Sequence, residues 1–167
     1  SESINFEAGL KRSFNNISAI YRSLKDYNTS IRYARRGRDL SIKLNDLTTL
    51  TLSLASLSRS YLELNRTDSA LMYAQESYEA ATREKESLPL FTATLRLGEV
   101  NAATGNHRLA LEYLRLALHY TKKDGRFFRI ASVHQEMATV FKTLGNKDSC
   151  LWHAKQTFSI SQAENLS

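Results

Sequence analysis

Apolar and small residues recur along the chain at helical spacing, in a pattern that returns every forty residues. When Lys11, Thr51, Phe91 and Ala131 are taken as position 1, four units fall at about residues 11–50, 51–90, 91–130 and 131–167. Positions 4, 7, 8 and 11 form one helical stripe, and positions 20, 24, 27 and 28 form another, because residues three or four apart share a helix face. Each unit therefore predicts two helices, A and B.

Two columns of the unit hold small residues. Position 8 is Ser18, Ser58, Gly98 and Ala138, and position 20 is Ser30, Ala70, Ala110 and Cys150. A larger side chain at either column would hold the two backbones apart, so these columns predict a close approach of helix A to helix B. Bulky residues dominate two further columns, position 11 (Tyr21, Tyr61, Asn101, Phe141) and position 23 (Tyr33, Tyr73, Tyr113, His153).

Turn-forming residues separate the two stripes of each unit. They predict turns at 25–28, 65–68, 105–108 and 145–148, where Gly or Asn can take a positive φ at the end of helix A. Asp46 suits the cap of a following helix, Ser87 with Pro89 predicts another helix start, and Asp124-Gly125 predicts a stop. The last helix is expected to reach about Glu164. Since β-hairpin signals are lacking, the predicted fold class is all-α.

A fixed period of this length is typical of repeat proteins. Leu57, Tyr61 and Ala70 in unit two, with Leu97-Gly98 and Ala110 in unit three, resemble the tetratricopeptide repeat (TPR) family. The units depart from the family in having no Trp at position 4, no Pro at position 32 and forty residues instead of thirty-four. Such longer units resemble repeats of bacterial regulators and sensor kinases. The resemblance implies a single domain over residues 1–167, folded as a right-handed solenoid of four antiparallel helix pairs.

The same resemblance implies a ligand surface, because the A helices of TPR proteins line a concave groove. The groove residues that it implies are Asn15, Arg22, Arg59, Leu62, Leu95, Glu99, Gln135 and Lys142. Amide side chains there would bond the backbone of a peptide, and the basic side chains would favour acidic groups. The family's clamp for a terminal carboxylate is not implied, since only Arg96 matches its pattern. We therefore expect a protein or peptide partner and no membrane span.

Charge raises a weaker alternative. The chain has a formal net charge of +6, and unit one holds nine basic residues against three acidic ones. A basic stripe is able to bind nucleic acid. Arg32, Arg35, Arg36 and Lys43 lie on helix B, however, which the resemblance places on the convex side. The aromatic residues occupy core columns and do not alternate with the basic ones, as a platform for single strands would require.

Residue patterns for catalysis or cofactor binding are lacking. One cysteine, Cys150, forms neither a disulfide nor a zinc cluster within the chain. The four histidines have no recognised metal spacing, and no phosphate loop or catalytic triad is present. We therefore expect a non-enzymatic protein without metal or cofactor. With no signal sequence and no apolar run of membrane length, both cytoplasmic and periplasmic locations stay open.

The last helix raises the question of what covers it. A solenoid shields its terminal apolar face with a polar capping helix, and no such helix follows Phe158 and Ile160 in this sequence. The favoured interpretation is a binding scaffold, the sensing or docking region of a larger bacterial signalling or regulatory protein. The alternative is a structural solenoid that self-associates through this end and takes no separate ligand.

Overall fold

The structure, a computed structural model, describes residues 2–121 and 127–164, with side chains from residue 9 to residue 163 inside those ranges. These residues form eight helices and no strand: α1 (Glu2–Ser23), α2 (Tyr27–Lys43), α3 (Leu47–Glu63), α4 (Thr67–Glu84), α5 (Ser87–Ala103), α6 (His107–Thr121), α7 (Phe127–Thr143) and α8 (Lys147–Glu164). Odd-numbered helices are the A helices and even-numbered ones the B helices. The all-α fold class predicted from the sequence is confirmed.

The turns inside the units repeat with the same forty-residue period. Residues with positive φ close all four of them, at Lys25 (62°), Asn65 (56°), Gly105 (82°) and Gly145 (71°). Each turn spans three residues, such as 24–26, so it begins one residue earlier than predicted and is shorter. Gly and Asn tolerate this backbone conformation at little cost. Unit one places a lysine there. The predicted stop at Asp124-Gly125 lies outside the described residues.

Helix starts follow local capping chemistry. Asp46 caps α3 as predicted: its carboxylate accepts hydrogen bonds from the backbone N–H and the hydroxyl of Thr49, both at 2.8 Å. The same carboxylate pairs with Lys11 of α1. Helix α5 begins at Ser87 as predicted, but its N-cap is Glu86, one residue earlier, and Pro89 sits in the first turn.

The small columns bring helices A and B together as predicted. Ser18 and Ser30 are fully buried, with their hydroxyl oxygens 3.0 Å apart. Ser58 donates from its hydroxyl to the carbonyl of Ala70 at 2.8 Å. At Gly98 an added Cβ would lie only 2.7 Å from atoms of the Leu114 side chain. Helices A and B thus approach each other at the positions where the side chains are smallest.

The packing of the helices decides which surface is concave. Each A helix contacts the next A helix, in the pairs α1–α3, α3–α5 and α5–α7, whereas no two B helices contact each other within the described residues. The A helices are therefore crowded together on the inner side of the curve, and the B helices spread apart on the outer side. The inner, concave surface is lined by α1, α3, α5 and α7.

Candidate peptide-binding groove

Three adjoining cavities follow the inner surface. The first, of about 540 Å³, lies between the start of α3, the start of α5 and the middle of α1. It shares Asn15, Asn16 and Leu52 with a second cavity of about 240 Å³. The second shares Arg59 with a third of about 300 Å³, which reaches α7. Because neighbouring cavities share walls, they form one continuous groove across all four A helices.

The second cavity, here called the arginine cavity, is lined by three arginines from three successive A helices. They are Arg22 of α1, Arg59 of α3 and Arg96 of α5. They occupy positions 12, 9 and 6 of consecutive units, so the line of charge crosses the helices obliquely, about one turn per unit. Its other walls are neutral, namely Asn15, Asn16, Leu52, Ala55, Ser56 and Thr92.

Burial and like charge together act on these guanidinium groups. Arg96 is 7% exposed and pairs with Glu99 one turn later on α5. The pKa of Arg22 is lowered to about 10, first by burial and then by the positive charges of Arg59 and Arg96; Glu99 and Glu63 oppose this shift. A pKa of about 10 still leaves Arg22 protonated at neutral pH. The cavity therefore stays positively charged.

The third cavity, here called the glutamate cavity, has the opposite character. Glu63, Glu99 and Glu136 enter it from α3, α5 and α7, around an apolar floor that includes Leu62 and Val140. The pKa of Glu136 is raised, mainly by burial and next by the negative charge of Glu99, while Arg96 and Arg59 lower it. The groove thus has a positive half and a negative half that meet at Arg59.

Five of the eight groove residues implied by the resemblance line these cavities: Asn15, Arg22, Arg59, Leu62 and Glu99. Leu95 lies elsewhere. It is 6% exposed and packs in the apolar core with Val133 and Met137 of α7, so its side chain is closed to a ligand.

Gln135 and Lys142 lie beyond these three cavities, toward α8. They line a fourth cavity of about 240 Å³ between α7 and α8, which shares Thr139 with the third. Gln135 and Lys142 lie on a side of α7 that is equivalent to the side of α5 covered by α7. No described helix packs against that side of α7. Lys142 therefore lines none of the cavities that Arg22 and Arg59 line.

Among the groove residues that the implied set missed are Arg96 and Glu136. Both stand at position 6, which that set omits. One signal for Arg96 was present in the sequence, since Arg96 and Glu99 are the only charged residues of α5 and stand among apolar neighbours. A buried charged pair in such a helix needs a polar environment on one side.

Three basic residues of α2 in unit one are engaged in contacts within the fold. Arg35 of α2 donates from Nη2 to the hydroxyl of Tyr61 at 2.6 Å. The guanidinium groups of Arg32 and Arg36 lie 5.8 and 5.7 Å from the ring centre of Tyr33, at cation–π distance. These contacts account for much of the basic stripe without a nucleic acid.

The described residues hold neither a cluster for a metal ion nor a membrane-spanning helix. Among residues 9–121 and 127–163, no three His, Cys, Asp or Glu side chains group closely enough to hold a metal ion. None of the described helices combines the length and the apolar character that crossing a bilayer requires.

Comparisons with known proteins identify the fold. No family model and no curated protein sequence matches the chain. Among solved structures, aspartyl phosphate phosphatase F from Bacillus subtilis superposes with a TM-score of 0.78 at 17% identity, over 93% of this chain and 41% of that one. The chain thus spans less than half of the phosphatase.

Two further structures show TPR-like repeats named for a kinesin light chain of Podosopora anserina, one of them a point variant of the other. They superpose with TM-scores of 0.70 and 0.69 at 18% identity, covering 93% of this chain and 76% of each. The fold is therefore a TPR-like helical solenoid, as the repeat columns indicated.

Proposed function

We propose that this chain is a non-enzymatic, protein-binding scaffold whose inner groove takes a peptide segment of a partner. The observation that carries the proposal is the continuity of the groove, which crosses four A helices with polar and charged walls over an apolar floor. A groove of this kind suits an extended or helical segment, because side chains from several elements reach one ligand.

The likeness to a bacterial phosphatase and to kinesin light chain repeats supports a scaffold role without assigning a partner. We further propose that the chain is a sensing or docking region of a larger bacterial signalling or regulatory protein. Its long repeat units and its match to part of the Bacillus subtilis structure support this setting.

The test is a peptide-binding measurement with a blocked groove. Peptides of twelve residues, capped at both ends, are selected on the wild-type protein from a random library. Their affinities are then measured by fluorescence anisotropy. Ala103 is exposed and lines the glutamate cavity, so Ala103→Arg fills the groove and its new charge lies near Glu63, Glu99 and Glu136. We expect this variant to bind the selected peptides at least about tenfold more weakly.

Ala163→Arg is the matched control, because Ala163 is exposed on α8 and lines none of the groove cavities. It should bind within about twofold of wild type. Equal affinities of all three proteins would place the peptide outside the groove. A library that yields no binder would refute peptide binding itself.

A second candidate function is self-association through α8. Leu151, Trp152 and Phe158 are 56%, 54% and 64% exposed on this helix. Leu111 is the equivalent of Leu151 in unit three. It is 8% exposed and packs in the core with residues of α7. A second copy of the chain is able to cover the equivalent face of α8.

Light scattering across a hundredfold range of protein concentration tests this candidate. Self-association would be favoured if the mass of the wild-type protein rises with concentration. The double variant Leu151→Lys with Phe158→Lys should then keep the mass of a monomer. A constant monomer mass in wild type would exclude it over that range.

A further inference from the structure

The arginine cavity holds three positive charges, of which only one is directly paired within the described residues. Of its three guanidinium groups, Arg96 pairs with Glu99, while neither Arg22 nor Arg59 pairs with a carboxylate among residues 9–121 and 127–163. All three lie on one small cavity with no acidic wall. Charges that are partly withdrawn from water need a partner of opposite sign.

The cavity also offers donors suited to an anion. A guanidinium presents a planar fork of N–H groups that matches the oxygen pair of a carboxylate or phosphate. Ser53 donates to Oδ1 of Asn15 at 2.8 Å, and the amide Nδ2 of Asn15 is buried with no partner in the described part of the chain. Asn15 lines the same cavity as the three arginines.

The adjoining glutamate cavity fixes where an anion is able to sit. Glu63, Glu99 and Glu136 line that cavity, so a negative group is repelled from the α7 side of the groove. The same group is attracted on the side of α1, α3 and α5. An acidic ligand therefore has one preferred register along the groove.

We infer that the arginine cavity holds one anionic group of the bound peptide, either a carboxylate or a phosphoryl group, through Arg22, Arg59 and Arg96. The inference rests on the proposed peptide binding in the groove and adds the chemistry of the ligand. The rest of the peptide then lies across the glutamate cavity, where a basic or neutral residue is favoured.

Capped twelve-residue peptide libraries with one fixed central residue test this inference. The fixed residue is Glu, Gln, phosphoserine, Ser or Lys, and one further library ends in a free carboxylate. We expect wild type to bind the best anion-bearing library at least about tenfold more tightly than its neutral counterpart. The comparisons of Glu with Gln, phosphoserine with Ser, and free with amidated terminus identify the source of the anion.

The double variant Arg22→Gln with Arg59→Gln should lose this preference while it still binds neutral peptides. The control variant, Arg83→Gln with Lys155→Gln, removes the same amount of charge from exposed positions on α4 and α8. It should keep the preference for anion-bearing peptides. Circular dichroism checks that both variants fold. If the groove variant fails to fold, Arg22→Gln alone replaces it.

The possible failures are separable. If peptides bind and Ala103→Arg blocks them, but Glu and Gln libraries bind equally, the anion site is refuted and the scaffold function stands. If no peptide binds, the side-chain N–H signals of the arginines are followed by nuclear magnetic resonance during titration with inorganic phosphate and with acetate. Shifts in wild type that the groove variant lacks would support the anion site without a peptide. No shift would refute the site as well.

Discussion

The distance between the two helices of a unit depends on single side chains at position 8. In unit three this residue is Gly98, and the facing side chain of Leu114 is fully buried. A Cβ at Gly98 would approach two atoms of Leu114 to 2.7 Å, which is shorter than a van der Waals contact. Leu114 has no exposed side toward which it could move.

This geometry predicts opposite effects for two identical substitutions. Gly98→Ala should destabilise the protein by roughly 1–3 kcal/mol, because overpacking outweighs the better helix propensity of alanine. Gly9→Ala in α1 should be neutral or stabilise by up to about 1 kcal/mol, because nothing lies within 4 Å of its added Cβ. Urea denaturation of both variants measures the difference. Equal free energies of unfolding would mean that Leu114 rearranges without cost.

Residue patterns predicted the packing columns better than the groove. Positions 8 and 20 could be identified because small residues recur there in every unit, and helix packing imposes that constraint locally. Groove membership depends on how far each unit is rotated relative to the next. That rotation buries Leu95 and places Lys142 in a different cavity from Arg59. It also brings Arg96 and Glu136 to the surface of the groove.

The last pair of helices contains a polar contact that the other units lack. His134 of α7 and His153 of α8 are both buried, with their Nδ1 atoms 2.8 Å apart. One neutral ring donates its N–H to the bare nitrogen of the other. Phe141 stacks on His153 with ring centres 5.4 Å apart. In unit one, Phe14 and Tyr33 occupy the positions of His134 and His153, and their ring centres lie 6.2 Å apart.

This pair predicts that acid weakens the protein. The pKa of His134 is lowered by burial, and that of His153 by burial and then by the positive charges of His134 and Arg115. Between pH 6.5 and these lower values the unfolded chain binds more protons than the folded one, so stability falls as pH falls. The stabilisation is complete above about pH 6.5. Thermal unfolding midpoints at pH 7.5 and pH 5 should therefore differ, with the lower value at pH 5.

The variant His134→Phe with His153→Tyr is the control, since it copies the residues of unit one and cannot titrate in this range. Its midpoint should change less between the two pH values. Glu136, whose pKa is raised, works in the opposite direction as pH falls toward 4.5, but it is present in both proteins and cancels in their difference. The same pH dependence in both proteins would assign the effect to groups other than the histidines.

Across the whole molecule, stability is built from contacts between neighbours. Within the described residues no helix contacts a helix beyond its own unit and the adjacent units. Such a solenoid behaves approximately as a one-dimensional chain of units and interfaces. The forty-residue period was therefore sufficient to predict the architecture, because one local unit repeated in register specifies it. The charge pattern of the groove could not be predicted in the same way, since the residues that line it differ between units.

Neighbour-only contacts predict that damage at the last unit stays local. Val133 of α7 and Val100 of α5 are both buried, at 0% and 1% exposure, and Val→Ala at either should cost roughly 2 kcal/mol. Among the described helices, α7 contacts a neighbouring unit on one side and α8 contacts only α7, whereas α5 has packed units on both sides. Hydrogen exchange followed by mass spectrometry should show faster exchange confined to α7 and α8 in Val133→Ala. In Val100→Ala, faster exchange should spread from α3 to α8, because the central interface supports both halves. If Val133→Ala accelerates exchange uniformly from α1 to α8, the chain unfolds as one cooperative unit and the one-dimensional description fails.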